Sequence, residues 1–310
     1  MWNSTFYPID FLLVGVPGLE HKHFWISIPF CIIYILALLG NLLVIAIIHM
    51  SPKLQQPMFI FLSMLAFNDS LLCTSIAPKI LSIFWFNDRV ISFNGCLLQM
   101  FFTHAFASIQ SGLVLSMAFD RYIAIYKPLR YRAIITSSVI FWLVFALLVR
   151  AVIMVGPCPI LIKKFPAFKT NVSAHSYCEH MAVVKLAATN IRLNSIFGLL
   201  SAFIIIGGDL LFIFLSYVMI FNAVFLLPSK DARLKAFHTC TPHVCVFLSF
   251  YSMAIFSFLS HRFGKKIPPY IHIIFSDIYL LVPPMLNPFV YGLKTNLICE
   301  EMWKLLMKHG

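Results

Sequence analysis

Seven stretches of this chain are long and apolar enough to cross a bilayer, and that count constrains the fold more than any other feature. A helix needs about 20 apolar residues to span the hydrocarbon core, where its backbone polar groups must be satisfied internally. The qualifying segments are residues 24–49, 57–83, 93–126, 135–161, 195–227, 232–261 and 268–292. Composition agrees: 61% of the 310 residues are hydrophobic and only 11% charged, against roughly 25% charged in a soluble domain. The pattern predicts an all-α, integral-membrane seven-helix bundle, one domain over residues 1–310 with an N-terminal tail at 1–23 and no internal repeat. The lipid bilayer is the first partner implied, and no feature calls for nucleic acid. The tail lacks a basic segment, and Asp10, Gly15 and Pro17 break its apolar stretch, so no cleavable signal peptide is expected and the first span does the targeting. Beyond the seventh span, about residues 295–308, Ile298, Met302, Leu305 and Leu306 share a helical face opposite Glu300, Glu301, Lys304 and Lys308. That pattern predicts a short amphipathic helix lying on the membrane surface.

Charge alone does not orient the bundle. Of the 23 Lys and Arg, eleven fall on each side and Arg150 lies inside the fourth span. Much of the N-terminal side's charge sits in the long loop 162–194, where the positive-inside rule is weak. Covalent chemistry breaks the tie. Asn3-Ser4-Thr5 and Asn171-Val172-Ser173 are glycosylation sequons on one predicted side, and Cys96 and Cys178 lie on that side too, where oxidation is permitted. The N-terminus is therefore expected outside the cell, in a multi-pass plasma-membrane protein.

Polar side chains inside a span are costly and mark candidate functional positions. Asn41, Asp69, Gln110 and Asn287 lie at a similar depth, roughly 10–18 Å from the cytoplasmic ends at 1.5 Å per residue. They predict one intramembrane polar layer with room for water or, at Asp69, a weakly bound Na+; the bland alternative is helix–helix adhesion. The third span ends in Asp120-Arg121-Tyr122, and the seventh carries Asn287-Pro288 with Tyr291, where proline frees a backbone carbonyl. His238, Cys240, His243 and Cys245 are not read as a metal site, because helical geometry points them to opposite faces.

Gly40-Asn41, "PMFIFLSMLAFND" (57–69), "MAFDRY" (117–122), "KPLRY" (127–131), "SYVMIF" (216–221), "KAFHTC" (235–240) and "NPFVY" (287–291) occur in that order. Together they resemble a rhodopsin-like G-protein-coupled receptor, and within that superfamily an olfactory receptor, over essentially the whole chain. "FLSHRFG" (258–264) and "LVPPMLNP" (281–288) resemble the class I branch, associated with carboxylic acids and other small water-soluble odorants. The resemblance implies that Asp120, Arg121 and Tyr122 form the conformational lock and G-protein contact, with Tyr217, Lys235, Asn287, Pro288 and Tyr291 in the activation switch. It implies a Cys96–Cys178 disulfide, a stimulatory olfactory G protein as partner, a rise in cyclic AMP as output, and no cofactor. Three departures stand out. A second loop cysteine pair is replaced by Phe168 and Ala188, so a looser loop is expected. Gln110 stands where an acidic residue is usual, which weakens cation binding beside Asp69. Pro242 replaces a small residue and is expected to alter the bend of the sixth helix.

His104 precedes Arg121 by 17 residues, roughly 25 Å of helix axis, which places it in the outer third of the bundle. Arg262 ends the sixth span at the same side. A cavity there would combine a cation above, a histidine on one wall and an apolar lining for which Gly198, Ala202, Tyr251, Phe258 and Tyr279 are the candidates. A guanidinium can take a carboxylate in two parallel bonds, and each CH₂ buried behind it contributes about 0.8 kcal/mol. A small carboxylic acid is the expected ligand; the bland alternative pairs Arg262 with Glu179 or with water. The other class of function is a transporter or channel, which would call for repeated halves or charged rings along a pore. A retinal protein would need a lysine in the seventh span before Lys294, and an enzyme a convergent nucleophile and base. The sequence shows none of these features.

Overall fold

The computed structural model describes residues 6–225, 229–263 and 268–309. Asn3 lies outside them, as do the side chains of Lys235, Phe258 and Arg262. The transmembrane helices are α1 (His23–Met50), α2 (Pro57–Phe86), α3 (Phe93–Tyr126), α4 (Ser137–Val155), α5 (Arg192–Phe225), α6 (Lys230–Phe263) and α7 (Pro269–Lys294). A further helix, α8 (Asn296–His309), follows immediately. All seven spans expected from hydropathy are present. The fourth differs most: α4 stops at Val155, and after Gly156 a separate short helix, Pro157–Lys163, continues it. Proline at its first position has no N–H to give the preceding turn, so the break falls there.

These helices are apolar on nearly every face because most of their surface meets lipid. Phe141, Trp142, Phe145 and Val152 of α4 are exposed in the isolated bundle, which suits side chains that need no water. Inside, two apolar cores stack along the bundle axis. One, near the N-terminal side, gathers Phe30, Ile76, Phe84, Met100 and Leu281; the other, at the opposite end, gathers Phe59, Leu62, Leu113, Ile213 and Tyr291. A layer of buried polar groups lies between.

Glycine and proline set a close contact between α1 and α7. A Cβ at Gly40 would stand 2.8 Å from Pro288 Cγ, so α1 and α7 meet at this spacing only without a side chain. Pro288 in turn lacks the N–H that would have bonded the carbonyl of Pro284, and Asn41 Nδ2 supplies the missing donor at 2.9 Å.

A small sheet covers the N-terminal side. Strand β1 (Asp10–Leu13) pairs antiparallel with β2 (Val90–Ser92) and parallel with β3 (Val172–Ser173). Lys79 anchors the α2–β2 turn, bonding the Asp88 carboxylate at 2.9 Å and the Val90 carbonyl at 2.7 Å. That bond from Lys79 holds the Asp88 carboxyl below the usual range. The long loop 162–194 is cross-linked to α3 by the Cys96–Cys178 disulfide. No second cross-link is available at Phe168 and Ala188, yet the loop is held by other contacts. Phe168 is fully buried among the rings of Tyr7, Phe11, Phe93 and Phe165, at centroid distances of 5.8–6.2 Å. Its N–H bonds Phe6 O at 2.8 Å, and Ala188 N bonds Ala167 O at 2.9 Å. The expected slackness thus meets an aromatic anchor. Pro242 sits inside an α6 that stays helical from end to end.

Candidate functional site

A cavity of about 380 Å³ opens between α3, α5, α6, α7 and the long loop. It lies beneath the loop segment that the disulfide ties to α3. Of the ligand contacts expected from sequence, His104, Gly198, Ala202 and Tyr279 line it. Tyr251 does not; it is fully buried below the floor, where it hydrogen-bonds instead of facing the space. Phe258 and Arg262 belong to α6, but their side chains fall outside the described residues.

The walls follow from local sequence. His104 is half-buried, and its Nδ1 lies 2.9 Å from the carbonyl of Met100, one turn earlier. A carbonyl only accepts, so Nδ1 carries the proton. Gly198 is small for a visible reason: a Cβ there would meet the His180 ring at 2.7 Å, so glycine lets the loop histidine lie against α5. A π-helical turn at Phe203–Gly207 follows and places both Ile205 and Ile206 on the cavity wall.

The loop forms the roof. Tyr177 OH and Ser276 Oγ of α7 are 2.6 Å apart, and both residues line the cavity. Ser176 Oγ donates to Asp277 Oδ1 at 2.5 Å directly behind them. Burial pushes the Tyr177 phenol well above its ordinary pKa, so it stays a neutral hydroxyl. From the α3 side, Gln99 Oε1 accepts from Cys178 N at 3.0 Å.

The floor rests on an ion pair, its aspartate buried and its arginine partly so, that the sequence reading missed. Arg150 Nη1 bonds Asp209 Oδ1 at 2.6 Å, Ser111 Oγ donates to Asp209 Oδ2 at 2.6 Å, and Tyr251 OH lies 2.7 Å from Ser111 Oγ. Arg150 Nη2 also bonds the carbonyl of Ser108, a cavity residue. The cluster joins α3, α4, α5 and α6. The available signal was one unmatched charge in each of two spans, Arg150 in the fourth and Asp209 in the fifth.

Deeper in the bundle, Asn287 Nδ2 bonds Asp69 Oδ2 at 2.6 Å, while Asn41 bonds the backbone carbonyls of Ala37 and Pro284. Gln110 is buried, but neither polar atom of its amide has a hydrogen-bond partner among the described residues. The polar layer is therefore two local pairings, not one network, and Gln110 stands apart from both.

At the opposite end of the bundle from the cavity, Asp120 and Arg121 lie 3.4 Å apart, and Tyr131 OH donates to Asp120 Oδ1 at 2.6 Å. Burial first, then the bond to Asp120, raises the Tyr131 phenol, which keeps it a donor. Arg121 also touches Met58 Sδ. Tyr122 is half-buried and stacks on Tyr126. Tyr291 OH lies 3.3 Å from His243 Nδ1, and Tyr217 is buried nearby with its ring against Phe247. Among the described residues no group of three or more His, Cys, Asp or Glu side chains could hold a metal. Asn171 Nδ2 bonds the Asp10 carbonyl at 3.2 Å beside β3.

The family described as olfactory receptor matches residues 30–309. The chain belongs to that family. It is 54% identical to human olfactory receptor 52A1 over 305 residues, covering 98% of each chain. Human olfactory receptor 52A5 is 52% identical over 304 residues, covering 98% of this chain and 96% of its own. Human olfactory receptor 52K2 is 49% identical over 296 residues, covering 96% and 94%. The protein is thus a multi-pass G-protein-coupled odorant receptor and not an enzyme, and it takes small-molecule odorants and a G protein as partners.

Proposed function

We propose that this receptor responds to small carboxylic acids in the cavity beneath the disulfide-tied loop and activates a stimulatory olfactory G protein that raises cyclic AMP. In this reading the N-terminus and the loop face the outside of the plasma membrane. The odorant's carboxylate meets Arg262 at the end of α6, and its chain lies against His104, Gly198, Ala202 and Tyr279. The observation that carries the reading is the cavity itself: its volume of about 380 Å³ suits a small ligand, and four of the seven contacts expected from sequence line it. Activation is a population shift. A ligand joining α3 to the outer end of α6 favours one arrangement of α6, whose far end near Lys235 moves relative to Arg121 and admits the G protein. Asp120, Tyr122, Tyr217, Asn287, Pro288 and Tyr291 serve as the switch.

The test is cyclic AMP in cells exposed to straight-chain acids and the matching alcohols, with Arg262→Ala beside the parent and surface level checked by antibody. Acids active, alcohols silent and the variant silent at the surface is the expected result. A variant that responds like the parent would remove Arg262 from the site.

A further inference from the structure

Gly198 lines the cavity from α5, yet its missing side chain leaves room for the protein's own His180, which lines the cavity too. A Cβ at Gly198 would stand 2.7 Å from His180 Cε1 and 2.8 Å from its Nδ1, well inside the spacing at which non-bonded carbon atoms attract. Ser201 and Ala202, one turn further along α5, line the same wall. Ala202 thus narrows or widens the cavity directly, whereas Gly198 does so through the histidine it seats.

The backbones on both sides of this contact are anchored. His180 opens the loop helix His180–Val184, which Glu179 caps by accepting from Ala182 N at 2.5 Å. Two residues before His180, Cys178 is bridged to Cys96, and its N–H bonds Gln99 Oε1 at 3.0 Å. α5 is held in turn at Asp209, whose two carboxylate oxygens take bonds of 2.6 Å from Arg150 and Ser111. The part that can yield is the imidazole, which turns about two side-chain bonds. A ring driven off α5 has the cavity beside it, and turning there subtracts from its volume of about 380 Å³.

We propose that the seat His180 takes on Gly198 sets the length of odorant chain that the cavity admits. Gly198 is then a positioning residue that acts through His180, and His180 joins the wall that meets the odorant. The inference rests on the acid-receptor reading and deepens it by naming the contact that limits the acid's length.

The experiment measures cyclic AMP from the full-length receptor in cells given the straight-chain acids from propanoic to decanoic and the matching alcohols. The readout is the potency of the parent's longest active member divided by that of its shortest, taken within each variant so that surface level cancels. Gly198→Ala should lower this ratio about tenfold, the penalty for about one methylene that no longer fits, and adding His180→Ala should restore it. Ala202→Val should lower the ratio too, but adding His180→Ala should leave it low. An unchanged ratio in Gly198→Ala would overturn the inference and leave the acid reading intact. So would a lowered ratio that His180→Ala does not restore, or equal rescue of Ala202→Val. If the alcohols and not the acids activate the parent, the acid reading fails and the same ratio, taken on the alcohols, still decides this inference. Silence to both series from a receptor at the surface would overturn both.

Discussion

Ser176 and Asp277 are joined across the roof of the cavity by a 2.5 Å hydrogen bond, and their chain neighbours Tyr177 and Ser276 by a second of 2.6 Å. Two consecutive loop residues thus latch onto two consecutive residues of α7. The next residue, Cys178, carries the bridge to Cys96, so the loop is held at both α3 and α7. Asp277 is fully buried, and its second oxygen has no partner among the described residues.

Asp277→Asn should therefore be tolerated or stabilising. The amide keeps an acceptor for Ser176 and removes a buried ionisable carboxyl that has no described counterion. Asp277→Leu leaves Ser176 and the roof without the bond, at a cost of about 1–3 kcal/mol for the stranded hydroxyl. Thermal unfolding of the detergent-solubilised receptor should rank Asn at or above the parent and Leu below it. A Leu variant as stable as the parent would mean the latch contributes nothing.

The Arg150–Asp209 pair under the cavity floor invites a double-mutant cycle. Their side chains are 22% and 5% exposed, so each single removal leaves an opposite charge largely out of water. Arg150→Met or Asp209→Asn alone should cost about 3–5 kcal/mol, while the pair of changes costs much less than the sum. Additive losses would show that the two groups act independently. Surface level and melting temperature report the outcome.

Seven spans and their order were legible because burial in lipid demands long apolar helices and little else. The disulfide and the Asp120–Arg121 pairing were legible through motif resemblance. The floor cluster was not, because Arg150 and Asp209 lie in different spans and only tertiary packing brings them together. Tyr251 was placed one layer too high for the same reason: its hydroxyl is drawn inward by Ser111. Gln110 shares a depth with Asp69 without bonding to it, since depth is read from sequence but facing is set by helix rotation. The loop's aromatic anchor was hidden because a missing cysteine pair says nothing about what replaces it.

That anchor makes its own prediction. Phe168 is fully buried among four rings, so Phe168→Ala should cost about 3–5 kcal/mol and reduce surface expression. Phe168→Leu, which keeps most of the volume, should lose less. Equal surface levels for parent and Ala variant would show that the sheet of β1, β2 and β3 holds the loop unaided.

Gly40 offers a sharper steric test. Its missing Cβ would lie 2.8 Å from Pro288 Cγ and 3.1 Å from Pro288 Cβ, and a proline ring cannot swing aside. Gly40→Val should push α1 from α7 and stretch the 2.9 Å bond from Asn41 to the Pro284 carbonyl. Overpacking of this kind costs about 1–3 kcal/mol, and stranding a carbonyl that proline has already deprived of its helix donor adds to it. Melting temperature should fall further for Gly40→Val than for Gly40→Ala.

The lock at the opposite end should respond to a single oxygen. Tyr131 OH provides a 2.6 Å hydrogen bond to Asp120, whose other oxygen has no hydrogen-bond partner among the described residues. Tyr131→Phe removes that donor and keeps the ring. A bond to a carboxylate is worth about 1.5–3 kcal/mol, a tenfold or larger factor in a two-state equilibrium. Loss of the bond raises the free energy of the arrangement that contains it, so basal guanine-nucleotide exchange on added G protein should rise. Odorant response should persist, because the cavity lies at the far end of α3. Unchanged basal exchange at normal surface level would mean that the Tyr131–Asp120 bond survives activation and belongs to both states.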